Sequence, residues 1–299
     1  MPRKQRPCPS DLSDARWELL EPTLTAWRAE RRGKGLDIGR PEHDLRRIMD
    51  AILYVDRTRI PWRYLPHDFA PWETVYGYFA AWQKDEVFDQ LNGLLRRLAR
   101  EAVGRDAEPS ACVLDAQSIK TSANVPSAGQ GIGAGKKIAG RERHIGVDTL
   151  GLLLAVLVTA ASVSDNAGGI HLLSDIAAGR PRITKAWADT GYRTKVIEHG
   201  ARLCIDVEVT RRSPAQKGFK VIPRRWVVER TFGWLVHRRR LARDYETHPH
   251  RSEAMIKVAM VDLVSRRLTR NRPRTGATHD HWPPCHHELA ALCRNTLNR

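Results

Sequence analysis

The sequence predicts a mixed α/β domain behind an all-helical N-terminal region of helix-turn-helix-like character. Three observations carry this. Up to about residue 102, apolar residues recur at helical spacing: Leu45, Ile48, Met49, Ile52, Leu53 and Val55, then Phe88, Leu91, Leu94, Leu95 and Leu98. From residue 111 the period changes, and short apolar runs alternate with helical stretches. The chain is also strongly basic: 50 Lys and Arg against 34 Asp and Glu give a net charge of +16 over 299 residues.

The elements follow in order. Ser13 is a candidate helix cap ahead of Trp17, Leu19 and Leu20. Residues 31–39 form a loop with Gly33, Gly35 and Gly39, and a second helix covers the 45–55 stripe. Pro61 and Pro66 break the chain, and Pro71 stands at a first helical position before Val75, Tyr78, Phe79 and Trp82. A helix over residues 87–102 opposes its apolar stripe with Arg96, Arg97 and Arg100. Short helices with basic faces suit a DNA-binding module over residues 1–105.

Residues 104–110 read as a linker into a second domain over 106–270. Strands are expected over 111–114, 144–147, 152–159, 183–188 and 203–209, with a hairpin turn at 148–151. Helices are expected over 168–178, 193–199, 224–243 and 252–268. Between them lies a glycine-rich stretch with Gly129, Gly131, Gly133, Gly135 and Gly140 around Lys136 and Lys137. It is not a phosphate-binding P-loop: Gln130 stands where the first glycine belongs, and Lys137 where Ser or Thr belongs. A flexible basic loop along a nucleic-acid backbone, or a disordered insertion, fits better.

The charge points to a polyanionic partner, nucleic acid ahead of an anionic membrane. Five scattered cysteines suit a reducing cytoplasm, and the most apolar stretch, 150–161, is too short to span a bilayer. The last segment, 271–299, reads as an irregular tail. It holds His279, His281, Cys285, His286, His287 and Cys293, at spacings that match no standard zinc finger.

Against this basic background three acids stand out. Asp115 ends one apolar run and Asp189 another, and Glu229 borders the buried stripe of Val228, Phe232 and Leu235 on the 224–243 helix. Taken singly, an Asp after a strand is usually a turn residue or a helix cap. Carboxylates that converge, however, supply the hard oxygen ligands that Mg²⁺ prefers. Two such ions serve in-line attack on a phosphodiester.

These motifs, in this order, resemble the DDE transposases of bacterial insertion sequences, in the family conventionally numbered five within the broader family-four-like group. The resemblance covers about residues 10–270. It rests on Leu12 to Trp17, Pro61-Trp62-Arg63-Tyr64-Leu65-Pro66, Pro71 to Tyr76, Leu114-Asp115-Ala116-Gln117-Ser118-Ile119-Lys120-Thr121, Gly135-Lys136-Lys137, Arg143 to Asp148, Ala188-Asp189-Thr190-Gly191-Tyr192, and Trp226-Val227-Val228-Glu229-Arg230-Thr231-Phe232. It implies an RNase H-like catalytic core with Asp115, Asp189 and Glu229 as the metal-binding triad. It also implies Mg²⁺ or Mn²⁺ as cofactor, two ions in all. The implied reaction is cleavage at the element ends and transfer of the freed strands into target DNA.

A wider signature of the group sets a Tyr, an Arg and a Lys around the catalytic Glu. Arg225 matches, while Ile222 and Val236 stand where the Tyr and Lys would be. Arg225 is a candidate phosphate ligand or an i, i+4 ion-pair partner of Glu229. Lys136, Lys137, Arg143, Arg238, Arg239 and Arg240 are the other candidate DNA contacts. The expected partners are terminal inverted repeats and target DNA, held by a dimer or larger synaptic assembly in the cytoplasm. Two other readings stay open: a catalytically silent DNA-binding regulator, and a nuclease without strand transfer.

Overall fold

The computed structural model describes residues 8–33, 43–133, 138–210 and 225–270. The N-terminal region folds as α1 (Asp14–Gly33), α2 (Leu45–Thr58), α3 (Trp72–Lys84) and α4 (Val87–Glu101). Local chemistry fixes the starts. Asp44 accepts the Arg46 N–H at 2.8 Å and caps α2, and Pro71 precedes α3, where a missing N–H breaks no helical bond. The proline-flanked break becomes a single 3₁₀ turn, Trp62–Tyr64. Ile48, Ile52, Phe79, Trp82, Phe88 and Leu91 are buried where the helices meet, as their spacing predicts.

The basic side of α4 departs from expectation. Arg96 and Arg100 are buried rather than presented to solvent. Arg96 bonds Glu108 at 3.0 Å in the linker, and Arg100 bonds Asp148 at 2.7 Å in the sheet. The local acids neutralise them, and they fasten the helical region to the second one.

That second region is a six-stranded mixed sheet: β1 (Ala111–Lys120), β2 (Gly131–Ile132), β3 (Ala139–Asp148), β4 (Leu153–Ala160), β5 (Lys185–Ala188) and β6 (Asp206–Val209). Its order is β2-β3-β1-β5-β6, with β4 also paired to β3. The β1, β3 and β4 ladders are antiparallel, while β5 and β6 run parallel to β1. Parallel neighbours need crossovers, and α5 (Asp165–Gly179) and α6 (Thr194–Arg202) supply them.

Side-chain alternation divides the sheet residues between two cores. Cys112, Leu114, Ala186, Ala188 and Val207 pack against Leu172, Leu173 and Ile176 of α5 and Val196 of α6. Val113, Ile145, Val147, Val156, Val158 and Trp187 join the other core. That core also takes in buried residues of α1 to α4, of α7 (Trp226–Val236) and of α8 (Pro249–Arg270). The helical region and one face of the sheet thus share a continuous apolar interior.

The helix expected over 224–243 is shorter than the pattern suggested. It ends at Val236, Arg238 turns extended, and a 3₁₀ turn follows at Arg239–Ala242. The cause is electrostatic: Arg238 is drawn inward to a buried ion pair with Asp262 of α8 and lies 3.6 Å from Asp56 of α2. The other side of α7 leans on the β3–β4 turn. Gly151 there has φ +80, which L side chains rarely adopt, and an added Cβ would lie 2.8 Å from Thr231 Oγ1. Thr231 Oγ1 donates to Gly151 O at 2.9 Å, and Arg230 donates to Leu150 O at 2.9 Å.

Candidate active site

The sheet and α7 bring the three predicted acids to one place. β1 pairs with β5 from Ala111 to Val113, and Val113 faces Trp187. Asp115 and Asp189 each lie two residues further on, so the register sets them level, on the same face as Val113 and Trp187. Asp115 is not at the end of its strand, as its apolar run suggested. β1 continues to Lys120, because the antiparallel ladder with β3 runs on to Gly140. What ends near Asp115 is the parallel neighbour: β5 stops at Ala188.

Short backbone bonds hold the acids in position. Asp115 Oδ1 accepts the Ala116 N–H at 2.8 Å, and Asp189 Oδ1 accepts the Gly191 N–H at 2.8 Å. Glu229 comes from the first turn of α7, whose Val228, Phe232 and Leu235 are buried. The stripe read from the sequence therefore aims Glu229 along the core boundary.

Arg225 joins the three. Its Nη2 lies 3.6 Å from Asp115 Oδ2, 3.9 Å from Asp189 Oδ2 and 3.8 Å from Glu229 Oε1. Asp115 and Arg225 side chains are each 13% exposed, Asp189 30% and Glu229 46%, so the cluster grades from interior to solvent. Burial pushes the Asp115 carboxyl up to about 7, and the charges of Asp189 and Glu229 add to that. Arg225 and the Ala116 N–H pull the other way without prevailing. The site is short of positive charge.

Among the described residues, no three His, Cys, Asp or Glu side chains stand close enough to hold a metal ion as they are. The reason is visible in the contacts above. The carboxylates are spread around a guanidinium at 3.6 to 3.9 Å, whereas Mg²⁺ takes its oxygens at about 2.0–2.1 Å. The donor chemistry itself fits a hard divalent cation, since all three side chains present carboxylate oxygen.

The expected DNA contacts divide. Arg143, Arg238 and Arg240 are buried and serve the fold rather than a DNA surface. Arg143 donates to Leu241 O at 2.8 Å, Arg238 pairs with Asp262, and Arg240 bonds Glu246 at 2.6 Å. A run of arginines reads as a basic surface, but the acids that neutralise these lie far off in sequence or beyond a turn. Arg239 alone of residues 238–240 is exposed. Lys136, Lys137, Ile222 and the 271–299 tail lie outside the described residues.

Two features escaped the sequence reading. Trp226, Arg230 and Trp234 stack along α7, with the Arg230 guanidinium 4.3 and 4.7 Å from the two rings and Arg267 3.9 Å from the second. Their i, i+4, i+8 spacing was the available signal. The first turn of α5 also leans over the Asp189 loop, and only a capping serine at Ser164 marked it in the sequence.

Comparison with known proteins identifies the family. Residues 12–92 match a family model described as "Putative transposase of IS4/5 family". A curated protein of Burkholderia cepacia, "Putative transposase for insertion sequence element IS402", is 30% identical over 128 residues. That alignment takes in 40% of this chain, which spans only 60% of the relative's length. Residues 106–261 match the model of the transposase DDE domain, whose core is RNase H-like. That match covers more than half of the 299 residues, and the chain belongs to the DDE transposase family.

Proposed function

We propose that this chain is a transposase that cuts DNA at the ends of an insertion sequence and joins the freed 3′ ends to target DNA. One observation carries the reading: three carboxylates from β1, the end of β5 and α7 converge on a single cationic nitrogen. Asp115, Asp189 and Glu229 would hold a pair of Mg²⁺ or Mn²⁺ ions, in keeping with the use of divalent metals in this family. Ions held by these carboxylates would supply an activated water or 3′-hydroxyl and would stabilise the leaving oxygen during in-line displacement.

The chain's own residues have distinct tasks. Asp115, being most buried, fixes the position of the site against the sheet. Glu229 reaches from the solvent side, where a phosphodiester enters. Arg225, once freed from the carboxylates, is placed to pair with that phosphodiester, and exposed Arg239 extends the positive track. The partners are the terminal inverted repeats and target DNA, handled by two or more copies of the chain in the bacterial cytoplasm. Among the described residues no helix is long and apolar enough to cross a membrane.

The test is end cleavage in Mg²⁺ on DNA carrying the element's terminal repeats. Asp115→Asn, Asp189→Asn and Glu229→Gln should each abolish cleavage and still bind that DNA. A fully active variant among them would sink the assignment. Joined transposon–target products separate a transposase from a nuclease. DNA binding by the native chain with no metal-dependent cleavage would make it a regulator.

A further inference from the structure

A fourth carboxylate reaches the same centre from the opposite side of the sheet. Asp165 is the first residue of α5, which follows β4; β4 and β5 both run parallel to β1, so α5 starts at the end of the sheet where β5 delivers Asp189. Gly191 shows how close the two acids come. An added Cβ there would collide with Asp165 Oδ2 and stand 3.0 Å from Asp189 Oδ1. Two further ties hold this turn of α5 against the Asp189 loop. Asn166 Oδ1 accepts the Arg193 N–H at 2.8 Å, and a Cβ on Gly169 would lie 2.6 Å from the Tyr192 ring.

An acid in the first turn of a helix has an ordinary explanation, since it favours the helix dipole. Ser164 already caps this helix, however, through its Oγ and the Ala167 N–H. The dipole also does not account for Tyr192. That side chain is fully buried, and among the described residues its hydroxyl has no hydrogen-bond partner. Buried hydroxyls are almost always bonded, so this one has capacity left for a water or an ion. The Tyr192 ring meets Gly169 of α5 and its N–H bonds Asp189 O at 3.1 Å, so the side chain is held between the helix that carries Asp165 and the loop that carries Asp189.

We propose that Asp165 is a fourth carboxylate of the cation centre, sharing a divalent ion with Asp189, and that the Tyr192 hydroxyl bonds to water carried by that ion. The inference rests on the metal-dependent reading above and adds two residues to it. In this role Asp165 orients the Asp189 side of the site, and Tyr192 is a positioning residue that acts through bound water.

The experiment is Mn²⁺ binding to the full chain without DNA, followed by electron paramagnetic resonance of the free ion. Asp165→Asn should weaken binding at least tenfold, and Tyr192→Phe about threefold, with the melting temperature of each near that of the native chain. The Asp165→Asn loss should persist in 0.5 M KCl, where a distant field effect is screened to about 4 Å or so. Native-like Mn²⁺ affinity in Asp165→Asn, or a loss that vanishes in high salt, overturns the proposal. If Asp165→Asn melts early, Tyr192→Phe decides, because phenylalanine keeps the ring packing: an unchanged affinity there overturns it. Failure of the broader reading looks different, since Asp189→Asn would then bind Mn²⁺ as the native chain does.

Discussion

Arg225 Nη2 lies 3.6 Å from Oδ2 of Asp115, the most buried acid of the cluster. The guanidinium stands where the site lacks positive charge, so it competes with any cation that the carboxylates bind. Arg225→Gln should destabilise the metal-free chain by about 1–3 kcal/mol, because Asp115 is left buried without its charged neighbour. Added Mn²⁺ should then raise the melting temperature of the variant by more than it raises that of the native chain. Thermal melts with and without Mn²⁺ check this, and equal shifts would contradict the competition.

The arginines after α7 differ sharply over three residues. Arg238 is tied to Asp262, which also receives Arg16 and Arg266, so one acid joins α1, the end of α7 and α8. Despite the desolvation that burial imposes, Arg238, Arg16 and Arg266 hold the Asp262 carboxyl below its usual range. Arg238→Ala should cost about 3–5 kcal/mol in urea unfolding, since it leaves buried charge uncompensated. Arg239→Ala, at an exposed position, should stay within about 0.5 kcal/mol of the native chain. It should instead lower the salt slope of DNA binding by about one. An unaltered slope would remove Arg239 from the DNA track.

The same contrast marks the reach of the sequence. Periodicity located the apolar faces, and with them the strands that carry Asp115 and Asp189, because burial imposes a spacing that local reading detects. The end of β1 was misplaced: the apolar run stops at Leu114, yet pairing with β3 continues through polar residues to Lys120. Arg240 read as surface charge because Glu246 returns to it across a turn that no helical spacing marks, and Arg143 because its partner, Leu241 O, becomes a neighbour only after the chain folds back along β1 and β3. Thr121 bridging to Asp244 marks that return. Asp165 was invisible for a related reason, since its approach to Asp189 depends on the α5 crossover into β5 and leaves no local pattern.

Asp56, fully buried on α2, gives a pH dependence with a definite sign. Desolvation raises its carboxyl to about 7; Arg238 opposes this and Asp262 adds to it. A raised folded-state value means that the folded chain binds the proton more tightly than the unfolded chain, whose value is 3.8. The contribution is thus complete below the unfolded value and is lost as pH climbs towards about 7. Asp56→Asn removes this titration. The stability of the variant relative to the native chain should rise between pH 4 and 7 and then level off, by a few kcal/mol at most, taking about 1.4 kcal/mol per pH unit as the ceiling. Urea midpoints across that range measure it, and a flat difference would show that Asp56 is ionised throughout.

Gly191 offers a test of crowding at the site that leaves its acids in place. Its N–H bonds Asp189 Oδ1 at 2.8 Å, and its backbone lies outside the left-handed region, so alanine meets no backbone strain. What it meets is carboxylate: the new methyl would collide with Asp165 Oδ2 and press on Asp189 Oδ1. Overpacking of this kind costs about 1–3 kcal/mol, and a shift of about 1 Å in a reacting group costs about a hundredfold in rate. Gly191→Ala should therefore fold and bind DNA, yet cleave at least tenfold more slowly. Gly179, at the other end of α5 with open space around it, is the matched control. Gly179→Ala should cleave at the native rate and gain about 0.5–1 kcal/mol of stability from the helix position. Native-rate cleavage by Gly191→Ala would mean that the Asp165 and Asp189 side chains have room to separate, and that their close approach does not constrain the chemistry.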